Sequence, residues 1–575
     1  MRRFGGSNVS GLMQTLKIDD ALPIEHGIVD KTIEQSQQRV EGYNFDVRKH
    51  LLEYDDVLNQ QRGKIYTQRE RIFTKSDLTD DVDEMLIAEV DRRVELAVSQ
   101  EDGRWKLLAW LDEVQPPFQK VNGEWHFQFS ISQIVESVKD KATEGAAVKE
   151  ALLEVAKGAS DSARDQLLKI VDDQLDQLPD RVKERADTKK EAAENAFDSW
   201  RDEARELGKP LDVRNVTKAM MDAAELNIRL PKDFFAEQNE KTLKKAIGEL
   251  IDGALGLDAA DRFLKWLAAR TGIEVKIELP AWDDFDWDTF GDLVTEAVTK
   301  AYDANTQNHL DEIARVLDEQ LKNFDKFSHD VIGRVLMDMA VSRDVIFDKK
   351  THKRETRFSQ RFPYIYYAAE LIEKHSKDDL RDEILDHLHA AQDEQKLVWG
   401  EAEMMRLSTA HLMDLDSESQ ASLKRALGEG EYESLASKEL SSLSGVARDG
   451  VRDELGRLMQ HGLHRFIMLS VSNQLWVDYL TTIEGVRTSI SLEAYAQRDP
   501  LTAYKSKAFD LFQQLFVDMR AGVVSKLLTY RPRTLAEIRA DAGQQPQRKN
   551  LGRNDPCWCG SGKKYKNCHL GADSR

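Results

Sequence analysis

Residues 40–62 read VEGYNFDVRKHLLEYDDVLNQQR, and they lie inside a longer run whose apolar residues recur with a helical period. This pattern predicts one helix over residues 24–73, with Gly42 and Asn44 as candidate bends. Its apolar side chains drift around one face of the helix: Ile28, Thr32, Ile33, Val40, Val47, Leu51, Leu52, Val57, Leu58 and Ile65. A helix of about 50 residues is roughly 75 Å long at about 1.5 Å per residue. We therefore expect a rod that can link domains mechanically.

The composition of the chain favours helices and several domains. At 575 residues it is longer than the roughly 250–300 residues at which single cores stop growing. Charged residues make up 32%, whereas the chain has only 31 glycines and 12 prolines. Long solvated helices suit this balance better than sheets with many turns, so we predict a mainly α fold with small β insertions.

Charge and hydrophobicity exclude several functions. The net charge of -21 disfavours a duplex nucleic-acid binder, which needs a basic surface against the phosphates. The sequence contains no run near the roughly 18 apolar residues that span a bilayer, and Met1–Gly6 leads into no signal-peptide-like stretch. We expect a soluble protein whose membrane contact is peripheral. All three cysteines lie between positions 557 and 568, which fits a reducing cytoplasm.

Amphipathic helices are predicted over most of residues 76–465, with two exceptions. Residues 121–124, VNGE, followed by alternating Trp125, Phe127, Phe129 and Ile131, predict a β-hairpin with a tight turn. The alternation of Ile273, Val275, Ile277 and Leu279 predicts a strand. The acidic Trp282–Asp288 segment predicts a capped helix start, because carboxylates near a helix amino end complement its dipole.

Residues 463–530 return to a strong helical pattern that is interrupted near 495–500. Pro500 forbids one uninterrupted helix, so the segment predicts a helical hairpin. From 531 to 547 the chain is polar and weakly patterned, which is typical of a linker. His461 and His464 lie one turn apart on the preceding helix, and without a third ligand at a metal spacing they predict packing or surface roles.

The clearest chemical pattern is Cys557, Cys559, Cys568 and His569. Three thiolates and an imidazole would complete a tetrahedral zinc site with no open position, as structural zinc sites do. The alternative is that the cysteines are incidental or form a disulfide. So short a module has almost no apolar core, and we expect the metal to supply most of its folding free energy. Gly560–Lys563 resembles the end of a phosphate-binding loop but lacks the full pattern.

The residues around these ligands are basic on a strongly acidic chain. Six basic residues and only one acidic residue, Asp555, lie near the ligands in the sequence. The basic residues are Arg548, Lys549, Arg553, Lys563, Lys564 and Lys566. Such a patch favours an acidic partner or anionic lipid headgroups. The alternative is that the lysines offset the thiolate charge and aid solubility. No pattern of catalytic residues is found elsewhere in the sequence.

Three separated parts of the sequence resemble one family, the SecA preprotein translocases. Residues 2–6 (RRFGG), 23–26 (PIEH) and 40–62 are similar to the long scaffold helix of that family and the segment before it. Residues 475–480 (LWVDYL), 494–501 (AYAQRDPL) and 504–505 (YK) resemble its two-helix finger. Residues 553–565, RNDPCWCGSGKKY, resemble its zinc tail, which also occurs in unrelated proteins.

The resemblance implies a carboxyl-terminal half without the ATP-binding domains and the peptide-clamping domain. We therefore expect no ATP hydrolysis from this chain alone, and action through a missing or separate motor half. The implied domains are a remnant of the second nucleotide-binding domain (1–16), the scaffold helix (17–75), an enlarged helical wing (76–465), the finger with the scaffold continuation (466–530), a linker (531–552) and the zinc module (553–571).

The resemblance also implies partners and one contact residue. The finger would enter the mouth of the SecYEG channel, where Tyr495 at its tip would touch the moving preprotein. The basic zinc tail would bind a SecB-like chaperone or anionic lipids at the inner face of the cell membrane. The alternative is a free-standing, chaperone-like binding protein. Specific nucleic-acid binding is disfavoured, because the small zinc module lacks a reading helix.

Overall fold

The protein is described by a computed structural model, which covers residues 27–141, 145–210, 212–227, 240–271, 275–322, 326–348, 353–489, 500–530 and Lys564. Helices dominate these described residues, and the only sheets among them are two antiparallel pairs of strands. The predicted mainly α fold with small β insertions is confirmed. None of the described helices is long and apolar enough to cross a membrane.

The fifteen α-helices of the described residues are α1 (Gly27–Thr74), α2 (Thr79–Ser99), α3 (Gly103–Val114), α4 (Phe129–Lys139), α5 (Gly145–Glu206), α6 (Val213–Ala223), α7 (Glu240–Thr271), α8 (Trp287–Gln320), α9 (His329–Met339), α10 (Ile365–Leu371), α11 (Lys377–Arg406), α12 (Ser417–Leu427), α13 (Glu429–Leu435), α14 (Gly445–Ser489) and α15 (Pro500–Leu527). The strands are β1 (Phe118–Gln119), β2 (Trp125–His126), β3 (Val341–Asp348) and β4 (Lys353–Gln360). Within the described ranges, three short 3-10 helices span Ile372–Lys374, Leu412–Asp414 and Leu440–Ser442.

The chain divides into two compact units. The first unit takes the described parts of Met1–Leu96, Glu113–His126 and Lys377–Arg575, and the second takes those of Ala97–Asp112 and Phe127–Ser376. The first unit therefore contains both the long helix α1 and the helices α14 and α15, which are far from it in sequence.

The predicted long helix is confirmed as α1, which has 48 residues; positions 24–26 of the prediction lie outside the described residues. Its last three turns are anchored by apolar residues, since Ile65 and Ile72 are both buried. On other faces the same helix exposes Phe45, Leu52 and Phe73. The helix is thus amphipathic, and only part of its apolar surface is covered by the described residues.

The second unit is built on the 62-residue helix α5, which carries two successive cores. Nearer its start, Val171 and Leu175 pack with residues of α7 and α8, including Phe263 and Phe290. Farther along, α5 packs with α6 and the first half of α7 in a second core. Pro179 lies between them. A proline inside a helix costs about 3 kcal/mol or more, and packing on both sides of it offsets that cost.

The segment from Pro280 to Asp286 lies closely against α7. A Cβ atom on Gly253 would come within 2.0 Å of the carbonyl oxygen of Trp282, and one on Gly256 would be 2.6 Å from the Phe285 ring. These two glycines permit the backbones to approach. The predicted capped helix start is confirmed, because the Asp286 carboxylate accepts the backbone N–H of Thr289 at 2.8 Å at the start of α8.

The two strand predictions need correction. The turn at 121–124 exists, with Gly123 at φ 88°, but the strands are short and pair Phe118 with His126 and Gln119 with Trp125. Phe129 and Ile131 were predicted to continue the strand and instead belong to α4, where both are buried. In a helix both side chains can be buried, whereas a two-stranded hairpin would leave one of its faces exposed to water.

The predicted strand at 273–279 is also wrong where the structure describes it. Val275, Ile277 and Leu279 alternate with exposed residues, yet they belong to no strand. Their side chains pack against the first core of α5, α7 and α8. Alternating burial thus arises from packing on helices without a partner strand. Ile273 lies outside the described residues.

We expect the substitution Gly253→Ala to destabilise the second unit by about 1–3 kcal/mol, because the new methyl group would displace the Trp282 backbone. Gly248→Ala in the same helix is the matched control. Its nearest atom lies 3.8 Å away, so the alanine should stabilise the helix by about 0.5–1 kcal/mol. Urea unfolding followed by circular dichroism measures both. Equal stability of the two variants would contradict the close packing.

Candidate functional site

The predicted helical hairpin is present as α14 and α15. The helix α14 ends at Ser489 and α15 begins at Pro500, whose fixed φ and missing N–H suit the first position of a helix. Tyr495 falls between them, outside the described residues. The described part of the site is therefore the two helices of the hairpin, where they meet α1.

Helices α1, α14 and α15 share one apolar cluster, which we call the junction core. Its buried members are Ile65, Trp476, Tyr479, Ile483, Tyr504, Ala508, Phe512, Leu515 and Met519. Partly buried Tyr54, Val57 and Leu58 of α1 pack against it. The core thus holds the long helix against both helices of the hairpin.

Aromatic rings contribute much of this packing. The rings of Trp476 and Tyr479 stack with centroids 5.3 Å apart, and Phe512 meets Tyr479 edge-on at 5.9 Å. Across the helices, Tyr54 meets Tyr504 edge-on at 4.7 Å. Such ring pairs add about 0.5–1.5 kcal/mol each beyond the area they bury. They give the junction stiffness as well as stability.

Three polar groups form a closed set inside the junction core. Gln61 of α1 is buried, and its Nε2 donates to the carbonyl oxygen of Ala508 on α15 at 3.1 Å. The hydroxyl of Tyr479 on α14 donates to Gln61 Oε1 at 2.6 Å and lies 3.4 Å from the same carbonyl. Burial raises the pKa of Tyr479 to about 12, so it remains a donor at neutral pH. We call Gln61, Tyr479 and Ala508 the polar triad.

Sequence reasoning did not single out this triad. A signal was present, because Gln61 lies four residues from both Val57 and Ile65 and so shares their face of α1. A glutamine on an apolar helix face predicts a buried partner. The identity of that partner, a tyrosine and a carbonyl from two distant helices, required the tertiary structure.

Near the carboxyl end of α14, charged residues of α14 and α1 lie close together at the surface of the junction core. Arg487 on α14 lies 3.5 Å from the carboxylate of Asp55 on α1 and 2.7 Å from Glu484. Exposed ion pairs of this kind contribute about 0–1 kcal/mol. The buried contacts of the junction therefore decide the packing.

The other end of the junction is fixed by residues on α14. Arg465 donates to the carbonyl oxygens of Ile72 and Lys75 at 3.3 and 2.9 Å. It thereby satisfies carbonyls at the carboxyl end of α1 that have no partner within the helix. His461 bonds the carbonyl oxygen of Ser76 at 3.2 Å and lies 3.2 Å from Asp77. The end of the long helix is thus tied directly to α14.

Of the packing or surface roles predicted for His461 and His464, the structure shows packing, since both are buried. Burial lowers the pKa of both histidines, for His464 to about 4. His464 Nδ1 has no hydrogen-bond partner within the part of the chain that the structure describes. In the same part, no group of three or more His, Cys, Asp or Glu side chains is placed to hold a metal ion.

Of the residues predicted for the zinc module and its basic patch, the structure describes only Lys564, which is exposed. The others lie outside the described residues: Arg548, Lys549, Arg553, Cys557, Cys559, Lys563, Lys566, Cys568 and His569. The zinc site and the basic patch therefore stay predictions.

Comparison with known families identifies the chain. The fold so far defines a helical protein in which a long rod carries a two-helix hairpin. The SecA wing and scaffold domain model matches residues 23–211 and 287–531, and the SEC-C motif matches residues 553–571. The chain belongs to the SecA wing and scaffold family, and its matched segments are those of the carboxyl-terminal half of SecA. The wing and scaffold domain model does not match residues 212–286, which contain α6, α7 and the segment before α8.

Individual relatives agree with the family match. The SecA translocase subunit of Heliobacterium modesticaldum is 38% identical over 147 residues, which are 25% of this chain and 17% of that protein. The subunit of Thermodesulfovibrio yellowstonii is 48% identical over 101 residues, covering 18% and 12%. That of a Roseiflexus species is 49% identical over 105 residues, covering 18% and 10%. The aligned residues thus make up less than a fifth of the length of each of these relatives. No solved structure matches it.

We expect the buried His464 to make stability depend on pH. In the unfolded chain a histidine binds its proton near pH 6.5, whereas folded His464 does so near 4. The stability from neutral His464 is therefore complete above pH 6.5 and is lost as the pH falls toward 4. Its share of the loss between pH 7 and 5 is about 2 kcal/mol.

The variant His464→Met should remove that share, so that its urea midpoint falls less between pH 7 and 5 than that of the original chain. Substitution of the exposed His329 by Met is the control for the loss of a histidine that is not buried. The same slope in both variants would show that His464 does not titrate as a buried group.

Proposed function

We propose that this chain is the mechanical, non-catalytic part of a SecA-like protein translocase. In this proposal, ATP-binding domains on another polypeptide segment generate the movement, and this chain passes it to preproteins in the SecYEG channel. The family match supports the class of machine. The observation that carries the mechanical role is the junction core, which joins the long helix to both helices of the hairpin.

The geometry suits the transmission of force. The long helix α1 has 48 residues, and its backbone hydrogen bonds make it a rod of roughly 70 Å. Its carboxyl-terminal half is packed against α14 and α15, whereas Tyr43 and Phe45 nearer its start are exposed. A push or rotation applied near the start of α1 would move the hairpin with it, because the junction core resists sliding.

The hairpin would act as the finger that contacts the preprotein, with Tyr495 at its tip. An aromatic ring offers apolar area for any passing sequence and needs no particular partner. The alternative is a loop tyrosine that packs on its own hairpin. The described helices support the hairpin, and the role of Tyr495 rests on the resemblance of residues 494–501.

We expect Tyr495→Ala, in a complete motor that contains this chain and its ATP-binding domains, to uncouple ATP turnover from transport. Preprotein transport into SecYEG vesicles should fall at least several-fold while ATP hydrolysis continues, because the ring that grips the chain is lost. Tyr495→Phe keeps the ring and is the matched control, with transport close to that of the original protein. Unchanged transport by Tyr495→Ala would contradict the proposed fingertip.

We further propose that Cys557, Cys559, Cys568 and His569 bind one structural zinc ion. The SEC-C match over residues 553–571 supports this module, and the donor set of three thiolates and one imidazole fits zinc. Bound zinc would supply the folding free energy of a segment with almost no apolar core. All four donors would be ligands, so the site would have no position for chemistry on a substrate.

We expect the purified chain to contain one zinc ion by elemental analysis and Cys568→Ser to lose it, because three remaining donors hold the ion weakly. The helical circular dichroism should stay unchanged, since the described helices are packed by residues outside 553–571. Ser561→Ala in the same loop is the control and should keep the zinc. Full zinc content in Cys568→Ser would overturn the ligand set.

The basic residues beside the zinc ligands would give this tail its partner. Arg548, Lys549, Arg553, Lys563, Lys564 and Lys566 would bind anionic lipid headgroups or an acidic surface on a SecB-like chaperone. Such contacts would hold a cytoplasmic protein at the inner face of the cell membrane. The exposure of Lys564 is consistent with this role.

A pull-down experiment distinguishes the two hypotheses, a mechanical part of a translocase and a free-standing chaperone. Co-purification of this chain with ATP-binding domains or with SecYEG supports the translocase part. Binding of unfolded clients without either partner would support the chaperone.

A further inference from the structure

The strands β3 and β4 form a two-stranded ribbon in the second unit, and no third strand pairs with either of them among the described residues. The backbone N–H of Arg361, just after β4, donates to the carbonyl oxygen of Ala340 at 2.8 Å. Its buried guanidinium donates to the carbonyl oxygen of Met339 and to Glu312, both at 3.1 Å. The base of the ribbon is therefore fixed to α8 and α9.

The strand β4 is open to solvent. Every residue of β4 whose exposure is described is exposed: Arg354, Thr356, Phe358, Ser359 and Gln360. The ring of Phe358 is one of the most exposed apolar groups of the second unit, at 64%. A two-stranded ribbon is marginally stable by itself, and an unpaired edge is a template for another strand. The edge of β4 can therefore accept a further strand.

The hydrogen-bond pattern shows which backbone groups such a strand would bind. In an antiparallel pair, hydrogen-bonded and non-hydrogen-bonded residue pairs alternate. The bond from the Arg361 N–H to Ala340 makes that pair a hydrogen-bonded one. By the register of the ribbon, Arg354, Thr356 and Phe358 then belong to non-hydrogen-bonded pairs. Their N–H and C=O groups point away from β3, toward the open edge.

The sequence of β4, KRETRFSQ, is complementary to itself in one antiparallel register. When a second copy is centred on Thr356, Arg354 of one copy lies opposite Phe358 of the other. Position 355, a glutamate, lies opposite position 357, an arginine. An opposite-charge pair and a cation beside an aromatic ring both stabilise cross-strand neighbours. Each occurs twice, because the contact has two-fold symmetry.

The neighbouring registers are less favourable. Centres at positions 354, 355 and 357 place an arginine or a glutamate opposite its own copy, and like charges directly opposite destabilise a sheet. A centre at Phe358 leaves only residues 356–360 of β4 to pair. Basic residues on an edge usually prevent pairing. Centred on Thr356, however, each basic residue of β4 lies opposite a serine, a phenylalanine or a glutamate.

We propose that β4 is a self-association edge, through which two copies of this chain pair antiparallel about Thr356 and form a four-stranded sheet. The outward N–H and C=O groups of Arg354, Thr356 and Phe358 would bond those of the second copy, with two bonds in each pair. A contact between two strand edges is smaller than the roughly 1,200 Å² of standard stable interfaces, so the dimer is weak. The proposal goes beyond the proposed function and does not depend on it.

The first test is sedimentation velocity of the full-length chain up to a concentration on the order of 100 μM. The sedimentation coefficient should rise with concentration as dimers form. Thr356→Pro removes an outward N–H without removing a bond between β3 and β4, as is tolerated on edge strands. It should weaken the dimer by about tenfold or more, because the central pair of the contact loses both of its bonds.

Glu355→Arg tests the register through charge. It places arginine opposite Arg357 of the second copy at two symmetric positions, and it should weaken the dimer by about fivefold or more. Glu203→Arg makes the same change of charge at an exposed position on α5 and is the matched control. The control should dimerise like the original chain.

A photoreactive amino acid at position 356 of the otherwise unchanged chain tests the pairing directly. Irradiation should give a covalent dimer in which mass spectrometry joins position 356 to β4 of the second copy. The same amino acid at position 345, on β3, should give no covalent dimer, because β3 would lie on the outer edge of the four-stranded sheet.

Several results would overturn the proposal. They are a chain that stays monomeric over this range, a dimer that neither Thr356→Pro nor Glu355→Arg weakens, and covalent dimers formed through position 345. Cross-linking of position 356 to an added unfolded polypeptide, with the chain itself monomeric, would also reject a second copy as the occupant. Should either variant lose its helical circular dichroism, the cross-link sites in the folded chain decide the question alone.

Discussion

The contact on which the described structure of the first unit depends is the packing of one long helix against two others, whose junction-core residues lie over 400 positions away in sequence. The long helix α1 would expose most of its apolar surface without it, and an isolated helix gains too little from its own hydrogen bonds to be stable in water. The junction core supplies the missing burial through rings such as Trp476, Tyr504 and Phe512. The polar triad adds hydrogen bonds among all three helices to this apolar contact.

The second unit also buries the apolar surface of a long helix, but it does so in two separate cores. Its long helix α5 carries two cores in succession, and the farther one is formed with α6 and α7. These two helices lie in residues 212–286, which the wing model of the family does not match. The segment contributes its own core and the close approach of Gly253 to the Trp282 backbone, so it is integrated into the unit. The segment covers a face of α5 that would otherwise meet water.

Several features could be predicted from the sequence because they depend on neighbours within one or two turns. The extent of α1 follows from its apolar period, the start of α15 from Pro500, and the start of α8 from the acidic residues around Asp286. The strand errors share one cause. Alternation in Val275, Ile277 and Leu279 reports burial of every second residue, and a helix surface can bury them as well as a partner strand. The paired strands β3 and β4 escaped prediction because residues 349–352, KKTH, contain no glycine, asparagine or aspartate to mark a turn.

The sequence by itself determined the helical class of this protein and the position of the long helix α1, and it predicts the donor set of the zinc module, since each depends on local spacing and side-chain chemistry. Only the tertiary structure decided which residues meet. Gln61 is one polar residue on an apolar face until Tyr479 and Ala508 are brought to it by two other helices. His464 is an ordinary histidine until burial lowers its pKa. Periodicity tells which face of a helix is buried, but the partner on that face is fixed by long-range packing, which no local pattern records.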